Sequence, residues 1–254
     1  MSHRKTGITK EHNVAKIVGI QFSILSPEEI RKGSVAAITS RDTYVNNKPV
    51  INGLFDPRMG VLEPGFVCPT DGLDYMQTPG YFGHIELARP LFYIQYLNTI
   101  TKIIRCTCVK CSKLLINKET HKYVMDMPSE LRWNYVFKEA SKVRRCGEDT
   151  NDGCGCKQPS KIKKEGLATL IAEWEPLHSA KDDEKAEKIT MVMTPEQVLK
   201  QFRRISDEDV SFMGFSPIWS RPDWMICQAL AIPPPAVRPS VKHDAQQRSE
   251  DDIS

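Results

Sequence analysis

The chain has no long hydrophobic run, no large excess of one charge and too few cysteines for a disulfide scaffold. The two most apolar stretches, Ile17 to Leu25 and Leu91 to Ile104, are interrupted by Gln21 and by Gln95, Asn98 and Lys102. Neither is long enough to span a bilayer, and no secretory leader is recognisable, so an intracellular protein without membrane contact is expected. With 35 basic against 32 acidic residues the net charge is only +3, so any contact with nucleic acid has to come from local patches. Phosphate-binding glycine loops, nucleophile elbows, paired-histidine helices and magnesium-type carboxylate clusters are also missing. What is present is 254 residues of ordinary globular composition, 40% hydrophobic and 26% charged, enough for one large or two modest domains with a real core.

A core of that size needs no covalent staples, so the eight cysteines call for another explanation. Five fall in two clusters, Cys106/Cys108/Cys111 and Cys154/Cys156. Cys108 and Cys111 have the two-residue spacing that lets one tight turn present two thiolates to a tetrahedral ion. Cys146, with Cys154 or Cys156, supplies a second pair across an intervening amphipathic segment. The expectation is one closed four-thiolate Zn2+ site, structural rather than catalytic, bracing a loop-rich region. Spacing alone leaves the choice between Cys154 and Cys156 open. Cys227 lies in an apolar run and reads as a buried, inert thiol.

Local signals place several elements. Lys16 to Leu25 reads as a buried strand. Ser26-Pro27-Glu28-Glu29 is a capping box opening a short helix that ends near Gly33, and Thr194-Pro195-Glu196-Gln197 repeats that logic, with a weaker version at Ser206. Asn46-Asn47 and Asn52-Gly53 mark a loop or hairpin before the Gly53 to Arg58 turn. Residues 63–83 carry too many glycines and prolines for regular structure. Pro90 divides the apolar run that ends in a helix of about three turns, and Pro128-Ser129-Glu130 opens another. Residues 147–166 read as an exposed loop, residues 179–188 as a hairpin tip or tail, and the first fifteen residues as a polar, mobile start. The triple proline at Pro233 forces extended geometry.

Several of these stretches together resemble the largest subunit of multisubunit DNA-dependent RNA polymerase, close to the RNA polymerase II type. The resemblance runs in order through Ser26 to Arg31, Gly53 to Gly60, Gly83 to Ala88, Cys108 to Leu115, Arg204 to Asp209 and Arg221 to Pro239. It implies an α+β, loop-rich architecture: a clamp core over residues 1–95, a zinc-braced helical clamp head over 96–220, and a return to the core with the start of a lid loop over 221–254. The metal ligands it implies are Cys108, Cys111, Cys146 and Cys154, the last because of its distance from Gln158-Pro159. A second zinc site of the family would fall between Cys68 and His84. There this chain has Asp71, Thr78 and Tyr81 at three ligand positions, so that site is expected to be empty and its loop held by packing of Tyr75, Tyr81 and Phe82. Erosion of this kind in an otherwise eukaryote-like subunit points to a large DNA virus. The location would then be the virion and host cytoplasm, or the nucleus for a cellular protein.

By the same resemblance the chain is part of a nucleotidyltransferase whose Mg2+-binding aspartates lie beyond the matched region, so this segment alone is expected to be inactive. Ending within a lid-like loop suggests a fragment or a split-gene product. The implied partners are the second-largest subunit, smaller polymerase subunits, template DNA and the RNA–DNA hybrid. Arg238, Lys242 and Arg248 are the candidate nucleic-acid contacts, and Lys157, Lys161, Lys163 and Lys164 form the densest basic run. Two other readings fit the cysteines: a free-standing zinc-bound module that regulates transcription, and a thiol-redox protein.

Overall fold

The computed structural model describes residues 16–175, 188–244 and 247–254. The expected mobile start and most of the 179–188 tip lie outside the described residues. Helix α1 (Pro27–Gly33) begins as its capping box dictates: Ser26 accepts from the Glu29 backbone N–H at 3.1 Å, and the Glu29 carboxylate accepts from the Ser26 N–H at 2.8 Å. Strands β1 (Tyr44–Val45) and β2 (Lys48–Pro49) form a small hairpin whose turn residues, Asn46 and Asn47, have φ of 51° and 59°. Asparagine tolerates this left-handed geometry.

The long antiparallel pair β3 (Gly83–Phe92) and β7 (Ile226–Ile232) organises the rest. Its register shifts between Glu86 and Leu91, around Pro90, which lacks an N–H for the ladder. At one end Ile232 joins Ala36, Ile38 and Met59 in a small buried cluster. At the other end Phe92 and Ile226 enter the main core. That core is built from Ile100, Ile103 and Ile104 of α2 (Leu97–Cys106), Val136 and Ala140 of α3 (Ser129–Ala140), Val198 and Phe202 of α4 (Pro195–Arg203), and Val210 and Phe212 of α5 (Asp207–Phe212). Ile100, Ile103 and Ile104 recur at helical spacing and are essentially inaccessible; each such burial is worth about 2 kcal/mol. Thr194 caps α4 with the reciprocal Gln197 bonds expected of it.

The mixed α+β class agrees with the sequence reading, and two local expectations do not. Residues 161–165, read as loop, form β4 (Lys161–Glu165), which pairs with β5 (Thr169–Trp174), itself paired with β6 (Ile189–Met193). The charged side chains of β4 hide a one-sided strand in which Ile162 is the buried residue. Conversely, Lys16 to Leu25 is neither a strand nor buried: Ile17, Val18, Ile20 and Phe22 are more than four-fifths exposed. Ile24 is tied in by a backbone bond, its N–H donating to Trp219 O at 2.9 Å. Among the described residues, no helix is long and apolar enough to cross a membrane.

Candidate metal centre

Two turns bring the expected sulfurs together. In the first, Ser112 adopts a left-handed φ of 66°, its N–H donates to Cys108 O at 2.9 Å, and the Cys108 N–H donates to Lys113 O at 2.9 Å. This folds Cys108 and Cys111 onto one side of a tight knuckle, and the Lys110 N–H points at the Cys108 sulfur at 3.4 Å. The second turn follows α3. The Cys146 N–H donates to Cys156 O at 2.9 Å and the Gly155 N–H to Cys146 O at 3.0 Å. Its two legs touch so closely that a Cβ on Gly153 would lie 2.2 Å from the Gly147 Cα, so only glycine fits there.

The Sγ atoms of Cys108, Cys111, Cys146 and Cys154 all lie within 4.8 Å of one another. Cys108 and Cys154 approach to 3.5 Å, Cys111 and Cys146 to 3.7 Å. A tetrahedral ion bonded to sulfur at about 2.3 Å requires sulfur–sulfur edges of about 3.8 Å. The donor set therefore fits a single tetrahedral metal ion with no open position. Cys156, which spacing left as an alternative, turns its thiol toward Lys157 O at 3.6 Å. Burial would raise the Cys108 thiol, but backbone N–H groups of Cys111 and Lys110 and the Cys154 thiol hold it at about 7. Burial pushes Cys111, Cys146 and the neighbouring Cys106 upward.

The sequence reading missed the role of Gln158. Its buried side chain donates to the Cys108 sulfur at 3.2 Å and to Cys156 O at 2.8 Å, and accepts from the Val109 N–H at 3.1 Å. One amide thereby stitches the two knuckles together and supplies the outer hydrogen bonding that orients a metal ligand. Its fixed place four residues after Cys154 was the available signal.

The loop between Cys68 and His84 is not held as expected. Tyr75 and Phe82 are 41% and 53% exposed, too open to brace it by packing. Instead Asp71 acts as a hub: its carboxylate accepts from Thr78 Oγ1 at 2.8 Å, Tyr81 Oη at 3.0 Å and the Leu73 N–H at 2.9 Å. Burial works against ionisation of Asp71, yet these donors together with Cys68 hold it below the usual carboxylate range. Cys68 also reaches Arg58 O, and His84 bonds Ser34 Oγ. Asp71→Ala is expected to raise amide hydrogen exchange across residues 68–84 at least tenfold without altering bound metal. Unchanged exchange would show that the hub holds nothing.

Of the three candidate nucleic-acid contacts, two are engaged within the chain. Contrary to its reading as a nucleic-acid contact, Arg238 is 1% exposed, with Nε donating to Pro233 O at 3.0 Å and Nη2 to Leu54 O at 2.5 Å, so it cannot reach a phosphate. Arg248 is bonded to Glu63 at 2.5 Å, while Lys242 is exposed. In the basic run, Lys157 donates to Glu175 O, Lys163 pairs with Glu173 and Lys164 bonds Asn98.

With this geometry established, the comparisons give the family. The family model described as RNA polymerase Rpb1, domain 1, matches residues 14–254. The chain belongs to that family. It is 37% identical over 250 residues to the DNA-directed RNA polymerase II subunit RPB1 of Euplotoides octocarinatus, covering 94% of this chain and 51% of that protein. It is 36% identical over 257 residues to the DNA-directed RNA polymerase subunit Rpo1N of Methanocaldococcus jannaschii, covering 96% of this chain and 18% of that protein. The chain thus corresponds to the N-terminal region of a largest polymerase subunit, and spans about half of one relative and under a fifth of the other.

Proposed function

We propose that the chain forms the clamp of a DNA-directed RNA polymerase, closing over DNA and the RNA–DNA hybrid while the chemistry of nucleotide addition is done elsewhere in the enzyme. The observation that carries this reading is the unbroken family match across residues 14–254. The β3–β7 pairing supports the division of labour, because joining residues 83–92 to 226–232 is what a head inserted between two parts of a core would require. Zn2+ on Cys108, Cys111, Cys146 and Cys154 would fix the shape of that head, since four thiolates leave no site for a reacting water. The partners are the second-largest and smaller polymerase subunits, inside the cell. The altered 68–84 loop is the ground for proposing a viral lineage.

Of the three cations first considered, Lys242 remains the outward-facing one and would meet phosphate through a salt-sensitive, sequence-independent attraction. The test is assembly. Co-expressed with the second-largest subunit, the chain is expected to copurify with it, and alone to show no RNA synthesis on any template. A chain that stays monodisperse, ignores that subunit and binds a transcription factor instead would favour the free-standing regulatory module.

A further inference from the structure

Two arginines that looked like nucleic-acid contacts are engaged with aromatic rings. The Arg238 guanidinium carbon lies 5.1 Å from the Phe55 ring centroid. Phe55 and Tyr44 stack with centroids 5.3 Å apart at a tilt of 33°. The Arg248 guanidinium carbon lies 3.7 Å from the Tyr44 centroid. The result is a continuous run of contacts, cation to ring to ring to cation, closed at the Arg248 end by the Glu63 carboxylate.

This run joins both legs of the terminal hairpin to one surface. Strands β8 (Val241–Lys242) and β9 (Arg248–Ser249) are two residues each, too short for a hairpin to hold its own orientation in water. Arg238 anchors the leg that enters it and Arg248 the leg that leaves it, and both reach residues 44–63, more than 180 positions earlier in the chain. Among the described residues, no carboxylate is hydrogen-bonded to buried Arg238. Two carbonyl oxygens and a ring face stand in for water, an arrangement suited to the planar fork of arginine. Lys242 lies directly opposite Arg248 in the hairpin register and faces solvent. Anchoring the arginines inward therefore decides where that exposed cation stands.

We infer that Arg238 and Arg248, through Phe55 and Tyr44, are positioning residues that seat the 241–249 hairpin on the clamp core and fix its approach to the nucleic-acid hybrid. The inference rests on the clamp reading for what the hairpin faces, but not for the seat itself.

Hydrogen exchange on the 254-residue chain tests the seat. Arg248→Met is expected to raise exchange across residues 239–249 at least tenfold while leaving residues 97–140 unchanged. Arg248→Lys, which keeps a cation for Tyr44 and Glu63, should recover part of the protection. Tyr44→Leu should reproduce the loss from the other side of the contact. Unchanged exchange in both Arg248→Met and Tyr44→Leu would overturn the proposal.

The second readout is the assembled polymerase carrying Arg248→Met. A longer ribonuclease-H-sensitive hybrid, with an unchanged rate of nucleotide addition, supports positioning. Normal hybrid length despite a loosened hairpin would overturn the nucleic-acid part. Failure of the clamp reading shows separately, as a wild-type chain that does not assemble with the second-largest subunit.

Discussion

Cys146→Ser is expected to leave the chain without bound zinc and to unfold the region from about residue 105 to 165, whereas the wild-type protein is expected to hold one equivalent. The size of the effect follows from where the metal would sit. The two knuckles are loops joined by a few backbone bonds and the Gln158 side chain, and in the segment from Cys106 to Cys111 the buried groups are themselves cysteines and Thr107. Structural zinc in small domains contributes an apparent free energy on the order of 10 kcal/mol, comparable to the whole stability of a domain. Losing one of four thiolates therefore removes more than the loops can replace. Atomic absorption gives the stoichiometry, and limited proteolysis with circular dichroism gives the local unfolding. Cys156→Ser is the control, expected to keep both metal and fold. A Cys146→Ser protein with no zinc and full protease resistance would sink the brace. Two tightly held zinc equivalents in the wild type would contradict the reading of the 68–84 loop.

The turn at Cys108 and Cys111 was legible because two intervening residues are enough to imply a knuckle, whereas spacing alone did not choose between Cys154 and Cys156. The capping boxes at Ser26 and Thr194 were legible for the same reason, each being a bond between residues three apart. Long-range partners were not. Arg238 and Arg248 look like any surface cations until residues 184 and 185 positions away come under them. Strand β4 was hidden because its outward lysines outnumber its one buried residue, Ile162. The opposite error arose at Ile17 to Phe22, where an apolar pattern that would suit a buried strand is left exposed among the described residues. Hydrophobicity states a preference for burial; it does not name the surface that provides it. Asp71 shows the same limit from the polar side, since a carboxylate at a ligand position reads as a loss until Thr78 and Tyr81 are seen to donate to it.

The second large effect is expected at Asp56, a fully inaccessible carboxylate inside the Gly53 to Arg58 turn. It accepts from the Asn52 N–H at 2.6 Å, from the Arg58 N–H at 2.9 Å and from the Arg58 guanidinium at 2.6 and 2.9 Å. Removing it leaves these donors without their acceptor. Breaking a buried pair costs up to about 5 kcal/mol, but Arg58 is partly exposed and water recovers some of the loss, so Asp56→Ala is expected to cost about 3 kcal/mol in urea unfolding. Burial would raise the Asp56 pKa, but the Arg58 side chain and the two backbone donors outweigh it and hold the folded value below normal. A carboxylate depressed on folding adds stability that is complete above the unfolded value of about 3.9, and that is lost as pH falls through the lower folded value. Wild-type stability should therefore decline below about pH 4 more steeply than that of Asp56→Ala, the two curves converging in acid. The turn also presents Leu54 O and the Phe55 ring to Arg238, so the same substitution should loosen residues 233–249 in hydrogen exchange. A cost under about 1 kcal/mol, with parallel pH curves, would mean that the turn is held by its neighbours and not by this carboxylate.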